Sequence, residues 1–368
     1  MKIHKILLNL IVVFVGATGF IACDSEKSSS DSFDRKTMLQ VYADSLIVPA
    51  FTDLQTKTNA LQTAATTFVT TPTTDNLTTL QQAWETAFIS WQYANAYNIG
   101  PADEEGTRRK LSEEIGIFPI NTSSVESKIS AGNTSMTDVT RDTRGFLTVE
   151  YLIFNLQNDN ASIVTQYQNS TSRGNYLQAV ITNLKSQIDG VVTAWAGNYK
   201  TTFVTNDGIK VGSSMSALYN NFVQSYETIK NGKVGLPLGK MVDKAYPEKV
   251  EAYYSGKSLE MIKHHLKAME NIWQGRTKNG TDIIGFKEYL TSVDGGNALN
   301  TTIESQFTAI NNALTAVPTN ATLASQIKTN PAPIDTLYTE LQKNVAHIKS
   351  EMAVLLGISI TFTSGDGD

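Results

Sequence analysis

IVPAFTDLQTKTNALQTAATTFVT, residues 47–70, sets the fold class of this chain. Ile47, Phe51, Leu54, Thr58, Leu61, Ala65 and Phe68 recur at alternating steps of four and three, which puts them on one face of a long α-helix. Pro49 either kinks that helix or marks its start, because proline lacks the backbone donor and its ring crowds the preceding turn. Thr71-Pro72-Thr73-Thr74-Asp75 breaks the pattern and offers N-cap residues, after which Leu77, Leu80, Trp84, Phe88, Trp91 and Asn95 share a face of a second helix. Two antiparallel helices follow. Gly100-Pro101 ends the pair, and 101–142 reads as a loop-rich connection with short helical pieces at 107–114 and 123–129. A compact apolar helix is expected at 141–155, then a loop at Asn158-Asp159-Asn160. Helical spacing returns over 174–203, 211–230, 257–274, 297–316 and 332–356, the last stopped by Gly357. Only Ile358-Ser359-Ile360-Thr361-Phe362 alternates with period two, too short a run to imply a sheet. The fold class is all-α, with helical hairpins packed as two bundle-like halves, 36–165 and 166–368.

The first 22 residues have the order of an export signal: Lys2 and Lys5, then an apolar run from Ile6 to Val15, then Phe20-Ile21-Ala22-Cys23. Small Ala22 followed by a thiol resembles the cleavage and lipidation site of bacterial lipoproteins. The alternative, a membrane-spanning anchor, needs about 20 apolar residues and this run is shorter. Residues 23–35 then read as lipidated Cys23 and a polar tether, which predicts attachment to the cell envelope, at the outer membrane on its periplasmic face or at the cell surface. Cys23 is the only cysteine, so no internal disulfide can form and no thiol remains for catalysis. The formal charge is −5, and −7 without Lys2 and Lys5, which argues against nucleic acid as a partner. The rest of the chain carries no second long apolar run.

Glu150 is the residue that breaks the apolar pattern. In Gly145-Phe146-Leu147-Thr148-Val149-Glu150-Tyr151-Leu152-Ile153-Phe154 it shares a stripe with Leu147 and Phe154, so a carboxyl is inserted into an otherwise apolar helix. Burial without a partner would cost several kcal/mol or force protonation. Its role is either structural, held by hydrogen bonds, or ligand-binding. At this point the chain resembles the imelysin family, whose signature is Gly-x-His-x-x-Glu. Trp91 to Pro101, Ile117-Phe118-Pro119-Ile120-Asn121, Lys233-Val234-Gly235-Leu236-Pro237-Leu238-Gly239, Tyr254-Ser255-Gly256-Lys257-Ser258 and the segment from Leu356 to Asp368 resemble further family blocks in the same order. The resemblance implies an all-helical, two-part fold with the site between the parts near the signature helix, in a family associated with peptidase activity and iron uptake.

Two departures alter what is carried over. Leu147 stands where the signature has histidine, and Asn95 where the Trp91 block has an acid. A metal-assisted hydrolase needs about three protein ligands and an open position, so no catalytic residue, metal ligand or cofactor is assigned. The candidate ligand-binding residues are Glu150, Asn95, Leu147, Gly145 and Ser258. Among the histidines, His264 is four residues from Glu260 and His347 four from Glu351; such pairs are usually a solvated face. Asp294-Gly295-Gly296 lacks the ligand order of a calcium loop, and the four tryptophans read as core. The expected function is a non-catalytic binding or accessory lipoprotein with a cleft holding Glu150 and Asn95, in iron or haem acquisition with metal-acquisition proteins as partners. The alternatives are a metallopeptidase using His264, His265 or His347 as substitute ligands, and an envelope scaffold for another protein.

Overall fold

Among the described residues, seven helices in this chain start at a side chain that accepts a free backbone N–H of their first turn. Asp34, Thr73, Asn121, Asp159, Ser170, Ser213 and Thr322 each accept a backbone N–H from the first turn that follows. The computed structural model describes residues 33–103, 110–138, 140–157 and 159–362. The helices are α1 (Arg35–Tyr42), α2 (Val48–Thr70), α3 (Thr74–Ala94), α4 (Leu111–Ile115), α5 (Thr122–Ser130), α6 (Phe146–Ile153), α7 (Asn160–Asn169), α8 (Thr171–Ala194), α9 (Lys200–Thr205), α10 (Ser214–Glu227), α11 (Leu236–Leu238), α12 (Ser258–Gln274), α13 (Phe286–Thr291), α14 (Gly296–Ala316), α15 (Leu323–Thr329), α16 (Ala332–Val345) and α17 (Met352–Leu356). Among the described residues there is no β-strand, only a single bridge between Arg276 and Asp282. The all-α expectation holds.

Of the two expectations for Pro49, that it kinks the first long helix or marks its start, the second holds for α2. A wider, π-type turn at Ala43–Ile47 joins α1 to α2, and Pro49 falls in the first turn of α2, where a missing N–H costs least. The threonines of α2 reconcile poor helix propensity with helical structure, because Thr52, Thr56, Thr58, Thr63, Thr66, Thr67 and Thr70 return their hydroxyls to the carbonyl four residues earlier. α3 and α8 both pack on α2; α6 lies against α3 and α8; α12 packs on α3 and α10; α14 packs on α16. From Phe33 onward the chain gathers into one compact unit. Residue 165 lies inside α7, which packs on α3 and α8, so the bundle around α2 runs on past it.

Several expected boundaries move. Phe33 stacks on Tyr289 with ring centroids 4.5 Å apart, so the folded body begins inside the stretch 23–35 expected as tether. Cys23 and the rest of 1–32 lie outside the described residues. The helix expected at 141–155 is shorter, α6, because residues before Phe146 turn sharply through Gly145 at φ +85°. The helix expected over 174–203 is interrupted at Gly197, whose ψ of −137° is not helical. Ile358 to Phe362 forms no strand; the side-chain amide of Asn220 serves it instead, accepting from Thr361 N at 2.7 Å and donating to Ser359 O at 3.0 Å.

What positions α6 is a joint with α3. The Trp84 indole Nε1 donates to the Phe146 carbonyl at 2.8 Å, while its ring meets Phe88 and Phe154 at 5.2 Å. Tyr176 on α8 donates to Thr143 O at 2.7 Å, and Glu114 receives Arg144 at 2.5 Å and Arg141 at 2.7 Å. A Cβ at Gly145 would lie 2.5 Å from the Ile115 carbonyl oxygen. Gly145→Ala is therefore expected to cost roughly 2 kcal/mol or more, since φ +85° with ψ −171° lies in a region essentially open only to glycine, which costs other residues about 1–3 kcal/mol. Denaturant titration checks this; an unchanged midpoint and slope would show that Ile115 and Gly145 are not in close approach.

Candidate functional site

α6 is apolar on nearly every side, so its one carboxyl has nowhere wet to go. Glu150 is 1% exposed and Leu147, one turn earlier, is 4% exposed. They share a cavity of about 220 Å³ with Phe118, Pro119, Ile120 and Thr122 on one side and Val250, Ala252, Tyr253 and Tyr254 on another. Tyr254 also lines a wider groove of about 720 Å³, where Tyr151 packs on it at 5.1 Å.

The wall opposite α6 is a strained turn. Ala252 is buried with φ +56°, a left-handed conformation uncommon for a residue with a Cβ. Its carbonyl accepts from the hydroxyls of Ser255 and Ser258, both at 3.3 Å, and Gly256 at φ +71° completes the turn into α12. This geometry aims the Ser255 N–H at Glu150, which accepts it through Oε1 at 2.7 Å. Burial pushes the Glu150 carboxyl up to about 7, further raised by the charge of Glu251 and partly offset by hydrogen bonds from Ser255 and Tyr254. The carboxyl thus sits between its protonated and ionised forms at neutral pH.

Glu251 is turned the other way. It pairs at 2.7 Å with Lys233, whose side chain is fully buried and also donates to Gln92 Oε1 at 2.6 Å. Burial pushes the Lys233 ammonium down and Glu251 pulls it back up. Lys233 and Glu251 line a second cavity of about 300 Å³, and this is where Asn95 lies, beside Asn98 and Ser225. Asn95 ends α3; its carbonyl accepts from Asn98 Nδ2 at 2.6 Å, and Asn98 Oδ1 accepts from Ser112 N at 2.9 Å. Phe118 lines both cavities.

The five residues singled out in the sequence are therefore distributed. Leu147 and Glu150 share one cavity and Asn95 lines its neighbour, with Phe118 between. Gly145 supplies backbone curvature, and Ser258 is buried behind the turn as a support. Lys233 and Ser255 lie within blocks that resemble the family, and Glu251 lies outside them. No sequence signal distinguishes a serine used for its N–H, and the Lys233–Glu251 pair needs three dimensions to be seen.

The histidines go elsewhere. His264 Nδ1 lies 3.3 Å from the Tyr93 hydroxyl, and His347 faces Glu351 at 3.2 Å on an exposed turn. His265 is fully buried, with Nε2 at 2.7 Å from Ser225 Oγ and Nδ1 without a partner. Although a serine and a histidine meet there beside a cavity, the pair is not built for nucleophilic catalysis. Burial and the neighbouring Lys233 charge hold the imidazole well below its ordinary value, so it resists the proton a general base must take. Among the described residues no three His, Cys, Asp or Glu side chains converge as a metal site. Glu150 brings a single carboxyl, whose Oε1 already accepts from the Ser255 amide.

An all-helical body with a buried glutamate on a Gly-initiated helix, faced by a Tyr-Ser-Gly turn, defines the class. The chain belongs to the imelysin family: the family model for imelysin, peptidase family M75, matches residues 47–352. It is 21% identical to iron-regulated protein A of Synechococcus elongatus over 326 residues, 84% of each chain. A crystal structure described as an iron-regulated protein A precursor from Parabacteroides distasonis superposes with a TM-score of 0.71 at 15% identity, covering 89% of this chain and 97% of that one. An imelysin-like protein from Psychrobacter arcticum gives 0.70 at 19%, with the same coverage. These likenesses establish the fold.

The raised Glu150 carboxyl has a measurable consequence. Unfolded, it ionises near 4.5; folded, it holds its proton to about 7. Between those values the folded state binds the extra proton, so its contribution to stability is complete below about pH 4.5 and is lost as pH rises through 7. Glu150→Gln keeps the acceptor for Ser255 N and removes the titration. It is expected to be more stable than the parent at pH 8 by on the order of 2–3 kcal/mol and nearly equal at pH 4.5. Denaturant titrations of both proteins across that range check this; a difference that does not grow with pH would place Glu150 in a wetter or better-paired site.

Proposed function

We propose that this protein is an envelope lipoprotein that works by binding and not by catalysis, holding a small ligand at Glu150 within an iron-acquisition system. The observation that carries the reading is the company Glu150 keeps: an amide donor, a leucine at the signature histidine position and a cavity with aromatic walls, with no imidazole among its partners. Such a site can share a proton with a polar group and shield it from water. Among the described residues it has no cluster of metal ligands and no imidazole to work with the carboxyl on a water molecule. The iron setting is supported by relatives named for regulation by iron. At about 220 Å³ the cavity is below the ~300–1,000 Å³ range of ordinary ligand sites, so a role in haem acquisition would be that of an accessory, with haem itself held elsewhere.

The substitute-ligand peptidase loses its motive, because His264, His265 and His347 are each engaged away from Glu150. A scaffold would call for a continuous apolar patch, and among the described residues the exposed large apolar side chains are four: Leu156, Val211, Val242 and Val354. Lipid on Cys23 would hold the body at the membrane, and Phe33 begins that body only ten residues later.

Two measurements test the proposal. The soluble form lacking residues 1–23, purified without added metal, is expected to carry no stoichiometric metal, and a thermal-shift screen of small polar compounds is expected to give a shift that Glu150→Gln abolishes. Stoichiometric iron or zinc, or a shift indifferent to Glu150, would overturn it. Cys23→Ser is expected to move the full chain from the membrane fraction and remove the lipid mass from its N-terminal peptide; retention in the membrane would refute the anchor.

A further inference from the structure

A third cavity, of about 320 Å³, lies away from Glu150, where the π-type turn at Ala43–Ile47 meets α12 and the loop that follows it. We propose that it binds a small amphiphilic carboxylate, the apolar body against α2 and the carboxylate on Arg276. Leu46, Pro49 and Ala50 supply one wall, and Tyr93 and Tyr97 on and beyond α3 supply another. The π-type turn is what makes room, since widened turns open a helix surface and recur at functional sites. Its Ser45 and Leu46 face the cavity.

The cover is a hairpin. Thr277 N donates to Thr281 O at 2.9 Å and Ile283 N to Gly275 O at 2.7 Å, closing a loop that carries Arg276 and Lys278 over the cavity. Lys278 is the clasp: it pairs with Asp53 at 2.9 Å and lies over the Tyr93 ring at 4.8 Å. Asp53 is occupied, because it also accepts from Ser90, and its carboxyl is held below its ordinary value by Ser90 and Lys278 despite the cost of burial. That leaves Arg276. Its side chain is 49% exposed, and among the described residues its acidic neighbour is Asp282, 3.7 Å away and 79% exposed, a contact worth little in water. The lining therefore carries two cations against one engaged acid, and the spare guanidinium has a planar fork suited to a carboxylate. A cationic ligand would have to displace Lys278 from Asp53.

Isothermal titration of the chain lacking residues 1–23 tests this with benzoate and hexanoate against benzylamine, hexylamine and benzyl alcohol. The carboxylates are expected to bind at least about tenfold more tightly than the amines or the alcohol, and Arg276→Ala to weaken them by about tenfold. Ala50→Phe, which fills the cavity from α2, is expected to abolish binding, while Glu150→Gln leaves it unchanged. Absence of carboxylate binding up to roughly 10 mM, equal binding of amines, or indifference to both Arg276→Ala and Ala50→Phe would each overturn the proposal. Loss of binding in Glu150→Gln would overturn it too, by moving the site to the other cavity.

Discussion

The hydrogen bond from the Trp84 indole to the Phe146 carbonyl holds the site in register. It ties the first turn of α6 to the middle of α3, and the rings of Phe88 and Phe154 close around it so that the bond is made in a dry environment. A helix of eight residues has little stability of its own. α6 exists because this joint, the Tyr176 bond to Thr143 and the close approach of Gly145 to Ile115 fix where it begins. Once its start is fixed, Leu147 and Glu150 have no choice of direction.

The carboxyl that results is tolerated because its neighbours divide the electrostatic work. Two buried glutamates close enough to repel, Glu150 and Glu251, would be costly if both were charged without partners. Lys233 and Gln92 take up Glu251 on one side of the wall, and Glu150 is left to the Ser255 amide and to protonation on the other. The left-handed Ala252 is part of the same arrangement, since the turn that places Ser255 N requires it. Its cost, on the order of 1 kcal/mol, is small beside an unpaired buried carboxylate.

The fold was legible in the sequence because it rests on periodicity. The face running from Phe51 to Phe68 and the face from Leu77 to Trp91 are buried as their spacing implies, as are Ile334, Leu337, Leu341 and Ile348 near the C-terminus. Short helices were missed where one or two turns give periodicity too little to act on: α1, α7, α13 and α15 each span ten residues or fewer. Glu150 stood out because a charge on an apolar stripe is visible in one dimension. Its partners did not, since Ser255 contributes only backbone and Lys233 reads as an ordinary surface lysine until α3 and the turn around Glu251 close over it. The separation of Asn95 from Glu150 by Phe118 was equally out of reach, because a shared family block says nothing about which wall a residue faces.

Leu147 and the proton on Glu150 are best understood as one change. A histidine at that position would stand one turn from the carboxyl, on the same stripe of α6, and in its charged form would draw Glu150 toward ionisation. Leucine offers no such partner and puts apolar surface on the cavity wall, and burial is the largest cause of the raised carboxyl. Asn95 in the adjoining cavity is a neutral amide and Glu251 is committed to Lys233, so among the described residues Glu248 is the one further acid that lines the Glu150 cavity, with Lys249 beside it. What remains is a carboxyl poised near neutrality in a small cavity. A carboxyl so placed can share a proton with a polar group brought against it.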